Sequence, residues 1–358
     1  MPITSQLVVF GAPRQVYVET IEQPGPGEDQ VLLRTLYSGI SAGTELTAYR
    51  GSNPYLHKRW DGDRRLFVPH QSPELQYPLR GWGYEEVGEV VEMGRAVHGV
   101  TPGDLVYGAW GHRAYHVVDQ AYARSRLLPS SAPPVAGLFS QIGAIALNGV
   151  HDAGIRIGET VAVFGLGVPG QIVTQLCKAS GARVIGVDLF ATRLAMAQEL
   201  NAVDEALNAG EGQVAERIRA LTGGRGADVV LEVSGSSAAL HEAIRAAAYS
   251  SRVVTLGFFQ GAAQHLYLGE EFHHNRINLV CSQISGVAPQ LSHRWNALRL
   301  AQTVMALAAE GRLALAQLIT HTLPYHKAAE AFRILDEQPQ DALQVVLDFT
   351  AAAGGKTA

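Results

Sequence analysis

The sequence predicts an α/β protein in two parts: a rolled, mostly antiparallel β unit, then a doubly wound parallel sheet with helices on both faces. Three observations carry this. Residues 1–142 are dense in β-branched residues, glycine and proline, the texture of short strands and turns. From about residue 143, short apolar runs alternate with segments of helical period. The length, 358 residues, suits two domains at about 100–200 residues each.

In the first part VVFGAP, VLLRTLYSGIS, EEVGEVVEMG and DLVYGAW read as strands. Residues 50–80 interrupt them with a long, polar, proline-bearing insertion, expected to be a functional or disordered loop. It holds His57 and His70 beside Lys58, Arg59, Arg64 and Arg65. That composition reads as a solvated charged loop or as one that recognises an acidic substrate. In the second part TVAVFG, ARVIGVD, ADVVLEVSG and RVVTLGF are strands. VPGQIVTQLCKASG, TRLAMAQELNA, EGQVAERIRALTGG and AALHEAIRAAAYS are the helices between them. HRWNALRLAQTVMALAAEGRL and HKAAEAFRILDEQ follow as helices, and ALQVVLDF is a last strand expected to return to the first domain. The expected domains are therefore 1–142 completed by 286–350, and 143–285, with a frayed tail after Phe349.

Composition narrows the function classes. With 47% hydrophobic and 17% charged residues, a sizeable core can be buried. A net charge of −5 provides no general basic surface, which argues against a nucleic-acid partner. Two cysteines, Cys177 and Cys281, rule out a disulfide scaffold and a four-cysteine zinc lobe. The opening MPITSQLVVFG lacks a basic head and long apolar run, and no stretch of about 18 apolar residues occurs. A soluble cytoplasmic protein with a small-molecule partner and no membrane partner is expected.

The strongest motif is Gly165-Leu166-Gly167-Val168-Pro169-Gly170, between a strand and a helix. The first glycine makes a tight turn, the second admits a pyrophosphate against the backbone, and the third lets helix and strand pack closely. The helix N-terminus then offers free N–H groups to phosphates. Asp188 ends the next strand. An acid there accepts hydrogen bonds from the adenine-ribose hydroxyls and repels a 2′-phosphate, so NAD is the expected cofactor. A solvated strand-end acid is the plainer reading of Asp188. Arg193 stands close enough in sequence to meet a phosphate, or is a helix-surface arginine.

These blocks together resemble the medium-chain dehydrogenase/reductase superfamily of the alcohol-dehydrogenase type, over nearly the whole chain. GWGYEEVGEVVEMG is similar to its G-H-E-x-x-G segment, GVTPGDLVYG to its V-x-x-G-D-x-V strand, and GRGADVVLEVSGSSAAL to its G-A-D-x-V-x-E-x-x-G strand. The resemblance implies a GroES-like β domain, a Rossmann domain, an active site in the cleft between them, hydride transfer, and a homodimer or homotetramer. It implies cofactor contacts from the glycine turn, from Asp188, Leu189 and Arg193, from Ser234 and Gly235, from Gly257 and Phe258, and from Ser282 and Gln283. Cys281 has no evident activating base and does not read as a nucleophile.

The catalytic metal is where the chain departs from that family. Where zinc-dependent members carry a cysteine, Gly39-Ile40 is followed by Ser41; Tyr84 replaces the histidine of G-H-E; the third ligand position aligns with Gln141. None offers the thiolate, imidazole or carboxylate that zinc prefers, so a zinc-free member with no metal is expected. Ile40-Ser41-Ala42-Gly43-Thr44-Glu45 resembles one zinc-free group, the bacteriochlorophyllide hydroxyethyl dehydrogenase-like proteins.

Without zinc, a side chain must handle the proton. Tyr84 is either a phenol directed at the developing alkoxide or a ring filling the vacated site. Glu85 is a buried acid bonded to a basic neighbour, or a base. Ser41 and Thr44 bind substrate or ribose, or cap a turn. Glu45 is a proton acceptor or a loop-surface acid, and Asn148 a helix cap. His273 and His274 are adjacent, so they face different ways and do not read as a metal pair. The expected activity is zinc-independent, NAD-dependent hydride transfer to or from a secondary alcohol or ketone, on a ring, sugar or cyclitol. An NAD(P)H-dependent enone or quinone reductase and a non-catalytic NAD-binding protein are the rivals.

Overall fold

The computed structural model describes residues 2–69 and 74–354, in two compact units: Met1–Gln141 with Ile319–Ala358, and Ile142–Leu318. The first unit is built around the strand Gln30–Ile40. It pairs antiparallel with Glu85–Met93, with Tyr115–Asp119 and with Gln344–Asp348, so ALQVVLDF does return to the first domain. Leu105–Gly108 adds to the far side of Glu85–Met93, and Ile319–Pro324 runs parallel to Gln344–Asp348. A second sheet joins Ile3–Ala12 to Gln15–Gln23 and Leu79–Arg80. The core between the elements is aromatic. Phe10 meets Phe332 edge-on at 4.9 Å, and Tyr49 stacks on Phe332 at 5.7 Å.

Register in this unit decides the chemistry. Ser38 pairs with Glu86 and Gly39 with Glu85. Partners directly opposite share a face of the sheet, so Ser38 and Glu86 meet. Gly39 leaves the space that the Glu85 carboxylate occupies: a Cβ on Gly39 would lie 2.6 Å from Glu85 Oε2.

The second unit is a Rossmann sheet of six parallel strands. Their spatial order is Glu205–Asn208, Arg183–Asp188, Thr160–Phe164, Ala227–Glu232, Ala247–Thr255 and Asn278–Cys281. TVAVF is buried at every position, as a central parallel strand must be. The chain moves outward from Thr160–Phe164 and then returns to its other side at Ala227–Glu232. This reversal makes the switch point at which such sheets bind ligands.

Three expectations need correction. Residues 50–80 are not one loop. Pro54–Leu56 forms a turn, and Lys58–Asp61 pairs with Leu66–Pro69 as a hairpin. The Asp61-Gly62-Asp63 cluster turns the chain, with Asp61 Oδ1 accepting the Arg64 N–H at 2.9 Å, between flanks rich in aromatic and branched residues. His57 is exposed; His70 lies outside the described residues. Residues 286–318 group with the second unit and not the first. The helix Ala297–Ala309 sets Val304 against Gly143, and Gln175 Oε1 accepts the Ala314 N–H at 2.7 Å. Finally, the chain does not fray directly after Phe349. Thr350–Gly354 forms a turn, started by the Thr350 N–H donating to Asp348 Oδ1 at 2.7 Å.

Candidate active site

In the second unit the glycine turn has the geometry its spacing predicts. Gly165 has φ +92°, and a Cβ there would meet Ser234 N at 2.7 Å. Gly167 caps the helix Val168–Ala179, which carries Pro169 in its first turn. A Cβ on Gly170 would lie 1.9 Å from Gly165 O, so only glycine permits this approach of helix to strand. Asp188 is buried, with Oδ2 accepting the Leu166 N–H at 2.7 Å and Oδ1 accepting the Phe190 N–H at 2.9 Å. Its carboxylate is thus tied to the glycine turn and is not a solvated strand end. Arg193 Nη1 lies 3.7 Å from Asp188 Oδ2, with its guanidinium 4.7 Å from the centre of the Phe190 ring. It is held against the acid and does not stand free on the helix surface.

The other expected cofactor residues cluster on the loops that leave this sheet. Glu232 ends its strand and holds the next loop: its Oε1 accepts the Ser234 N–H at 2.8 Å and also the Ser234 hydroxyl, and Gly235 N donates at 3.2 Å. A Cβ on Gly257 would lie 2.1 Å from Gly235 N, and one on Gly235 2.8 Å from Phe258 O. The two loops are therefore stacked backbone on backbone. Leu189 and Phe258 are exposed. Ser282 is buried, and its hydroxyl accepts from Asn148 Nδ2 at 3.3 Å. Asn148 lies within the helix Ser140–Ala153, so it is not a cap; its amide also donates to Gly286 O at 3.1 Å. Gln283 Oε1 turns its own loop by accepting the Ser285 N–H at 2.6 Å.

In the first unit the residues standing at metal-ligand positions form a different device. Ser41 precedes the helix Ala42–Arg50, and its hydroxyl is hydrogen-bonded to that of Tyr84. Tyr84 also donates to Thr44 Oγ1 at 3.3 Å. Burial, reinforced by the charge of Glu85, pushes the Tyr84 phenol well above its ordinary range, so it stays protonated. Two protonated hydroxyls bonded to each other do not fit a catalytic zinc, and Gln141, aligned in sequence with the third position, offers only a neutral amide.

The acids are placed differently from expectation. Glu45 is neither on a loop nor exposed. It sits fully buried in the first turn of Ala42–Arg50, and its Oε1 accepts the Ser41 N–H at 2.9 Å. Glu85 is buried as expected, but its partner is the neutral amide of Gln344, at 3.2 Å, and not a basic side chain. Burial raises Glu85 well above the usual carboxylate range, helped by Glu45 and Glu86.

Two residues that sequence reasoning did not single out complete this site. His112 is fully buried, with Nε2 2.6 Å from Glu45 Oε2 and Nδ1 2.7 Å from Ser38 Oγ. Ser38 Oγ donates to Glu86 Oε1 at 3.0 Å, and the Trp110 N–H donates to Glu86 Oε2 at 2.7 Å. Burial lifts Glu86 to about 7, against the opposing pull of His112. Burial alone would lower the His112 imidazole, but the charge of Glu45 and its hydrogen bond, with Glu86, raise it above the ordinary value. The two consecutive acids that open EEVGEVV were a visible signal for Glu86; nothing in the pattern around His112 marks it.

Metal-type ligands converge elsewhere. Among the described residues, His241, Glu270 and Glu271 of the second unit bring ligand atoms within 4.8 Å of one another, and Glu271 is already paired with Arg245 Nε at 3.4 Å. The His273 and His274 rings lie at 87° to each other.

A GroES-like unit with a Rossmann sheet that carries a dinucleotide turn defines a class of dehydrogenases, and comparison with known proteins agrees. Residues 169–302 match the Zinc-binding dehydrogenase family. The chain is 29% identical to D-guloside 3-dehydrogenase of Escherichia coli strain K12, over 96% of this chain and 99% of that one. It is 25% identical to 2-desacetyl-2-hydroxyethyl bacteriochlorophyllide A dehydrogenase of Cereibacter sphaeroides, over 97% and 98%. The crystal structure of an Escherichia coli oxidoreductase/dehydrogenase of unknown specificity shares the fold, with a TM-score of 0.78 at 20% identity, over 97% and 99% of the two chains. Along nearly its whole length the chain is similar to dehydrogenases of the medium-chain, alcohol-dehydrogenase type. No helix among the described residues is long and apolar enough to cross a membrane.

Proposed function

We propose that this protein is a zinc-independent, NAD-dependent dehydrogenase that moves a hydride between nicotinamide and a secondary alcohol or ketone. The observation that carries the reading is the Tyr84–Ser41 hydroxyl pair at positions where zinc-dependent members hold metal ligands. The second unit binds NAD: the glycine turn and helix Val168–Ala179 take the pyrophosphate, and Asp188 takes the adenine ribose. The cofactor supplies hydride acceptance. Tyr84 handles the hydroxyl proton: in the ketone direction its phenol hydrogen turns from Thr44 Oγ1 to the developing alkoxide, while the Ser41 hydroxyl donates to the phenol oxygen and holds its orientation.

The substrate class follows from shared chemistry. The 3-position of a D-guloside and the hydroxyethyl arm named for the second relative are both secondary alcohols. A ring-borne secondary alcohol of a sugar or cyclitol is therefore the proposed substrate. The test is a panel of glycosides, cyclitols and hydroxylated rings with NAD, read by NADH formation, on protein treated with a strong chelator and assayed for metal. Turnover without bound metal is expected. Activity that requires one tightly bound zinc per chain would overturn the reading.

A further inference from the structure

The buried array around His112 has a proton count that can be worked out atom by atom. The Trp110 N–H can only donate, so Glu86 Oε2 is an acceptor. Ser38 has one hydroxyl hydrogen and lies between Glu86 Oε1 and His112 Nδ1. If it donates to Glu86, it must accept from a protonated Nδ1. On the other side of the ring, Glu45 Oε1 takes the Ser41 N–H, and Oε2 faces Nε2 at 2.6 Å, which requires a proton on Nε2 when Glu45 is ionised. The alternative puts the proton on Glu86 Oε1, reverses the Ser38 hydroxyl and leaves Nδ1 bare. Both arrangements carry one net negative charge, but only the first places a cation 2.6 Å from the fully buried Glu45 carboxylate and, across Ser38, beside Glu86.

We propose that His112 is held as the doubly protonated imidazolium and is a positioning residue for the Tyr84–Ser41 pair, acting through Glu45. This rests on the reading of Tyr84 as the proton-handling group. The chain of contacts is short. His112 fixes Glu45 Oε2, Glu45 Oε1 fixes the Ser41 backbone, and Ser41 Oγ bonds the Tyr84 hydroxyl. His112 is itself anchored, its N–H donating to Trp82 O at 3.3 Å and its carbonyl accepting the Val8 N–H at 2.9 Å. The groups facing the ring are Glu45 from the helix Ala42–Arg50, Ser38 from Gln30–Ile40, Glu86 from Glu85–Met93, and the uncharged edge of Phe332, 5.9 Å away, from Ala328–Glu337. Arg113, the next residue, is the neighbouring cation within reach of Glu86. Without the imidazolium, the Glu45 carboxylate loses its cation and turns away, which releases the Ser41 N–H.

Three measurements separate this proposal from the activity it rests on. Nitrogen NMR of histidine-labelled protein should show both His112 nitrogens protonated at pH 7; one bare nitrogen overturns the imidazolium, whether or not any substrate turns over. A crystal structure of His112→Gln should show the Ser41 N–H released from Glu45 and the Tyr84–Ser41 bond broken; an unmoved pair overturns the positioning role. In kinetics, His112→Gln should lower kcat by about 10²-fold, the scale of a small misplacement, with KM for NAD unchanged. That loss should vanish in a Tyr84→Phe background, since both changes act on one pair. An equal loss in both backgrounds overturns the route through Tyr84. If wild-type protein oxidises no alcohol, the activity reading fails, and the NMR and crystal results still decide the case of His112.

Discussion

Gly83 lies directly against the His112 ring: a Cβ built on Gly83 would come within 2.9 Å of both Cε1 and Nε2. Its φ is +113°, a conformation that side-chain-bearing residues rarely adopt. Gly83→Ala is therefore expected to destabilise the first unit by about 1–3 kcal/mol and to displace His112 from Glu45. Urea unfolding followed by tryptophan fluorescence measures the first effect. Wild-type stability in the alanine variant would show that the ring is not held as described.

Tyr84→Phe removes one oxygen and keeps the ring. If the hydroxyl handles the substrate proton, kcat should fall by about 10²- to 10⁴-fold, the usual worth of a general acid or base. NADH affinity should be unchanged, because the phenol has no part in holding the dinucleotide. Full activity in the phenylalanine variant would reduce Tyr84 to a packing ring.

Cofactor choice is expected to follow Asp188. Fluorescence titration should show tighter binding of NADH than of NADPH. In Asp188→Ser the preference should move toward NADPH by roughly tenfold, about 1.4 kcal/mol, as the repulsion is lost and Arg193 is freed from its 3.7 Å contact with the acid. NADH binding should weaken as well, since the Leu166 N–H loses its acceptor. A wild-type preference for NADPH would reverse the assignment.

Stability should fall between pH 7 and pH 9. His112 is raised above its ordinary 6.5, so its contribution is complete below that pH and is lost as pH rises through the folded value. Glu85 is raised in the same sense from 4.5, and Glu86 reaches about 7. In the acid range the signs conflict. Burial depresses His116 to about 4, which costs stability as pH falls below 6.5 and opposes Glu86. Unfolding midpoints at pH 5.5, 7 and 9 check this; a protein more stable at pH 9 than at pH 7 would contradict it.

Much of the second unit was legible because its signals are local. A glycine with positive φ, a glycine that no Cβ can replace and an acid at the end of the following strand all lie within one strand–helix–strand unit. The departure at Ser41 and Tyr84 was legible for the same reason, as single residues inside recognisable motifs. The hairpin at Lys58–Pro69 was missed because the charges of Lys58, Arg59, Asp61, Asp63, Arg64 and Arg65 mask its short apolar stretches, and only strand pairing reveals it. Residues 286–318 were placed with the wrong domain because an amphipathic helix does not state which core it will cover; Gly143 and Gln175 supply the contacts that decide it.

By itself the sequence determined the two-part α/β architecture, the glycine turn and the absence of thiolate, imidazole and carboxylate at Ser41, Tyr84 and Gln141. Each depends on residue type and short spacing. The tertiary structure alone decided what surrounds those positions. Strand register set Ser38 opposite Glu86, a helix turn buried Glu45, and a distant segment brought His112 between them. Side chains that meet across a register or a fold carry no signature in the chain, because the interaction exists only after residues 38, 45, 86 and 112 have been folded into one place.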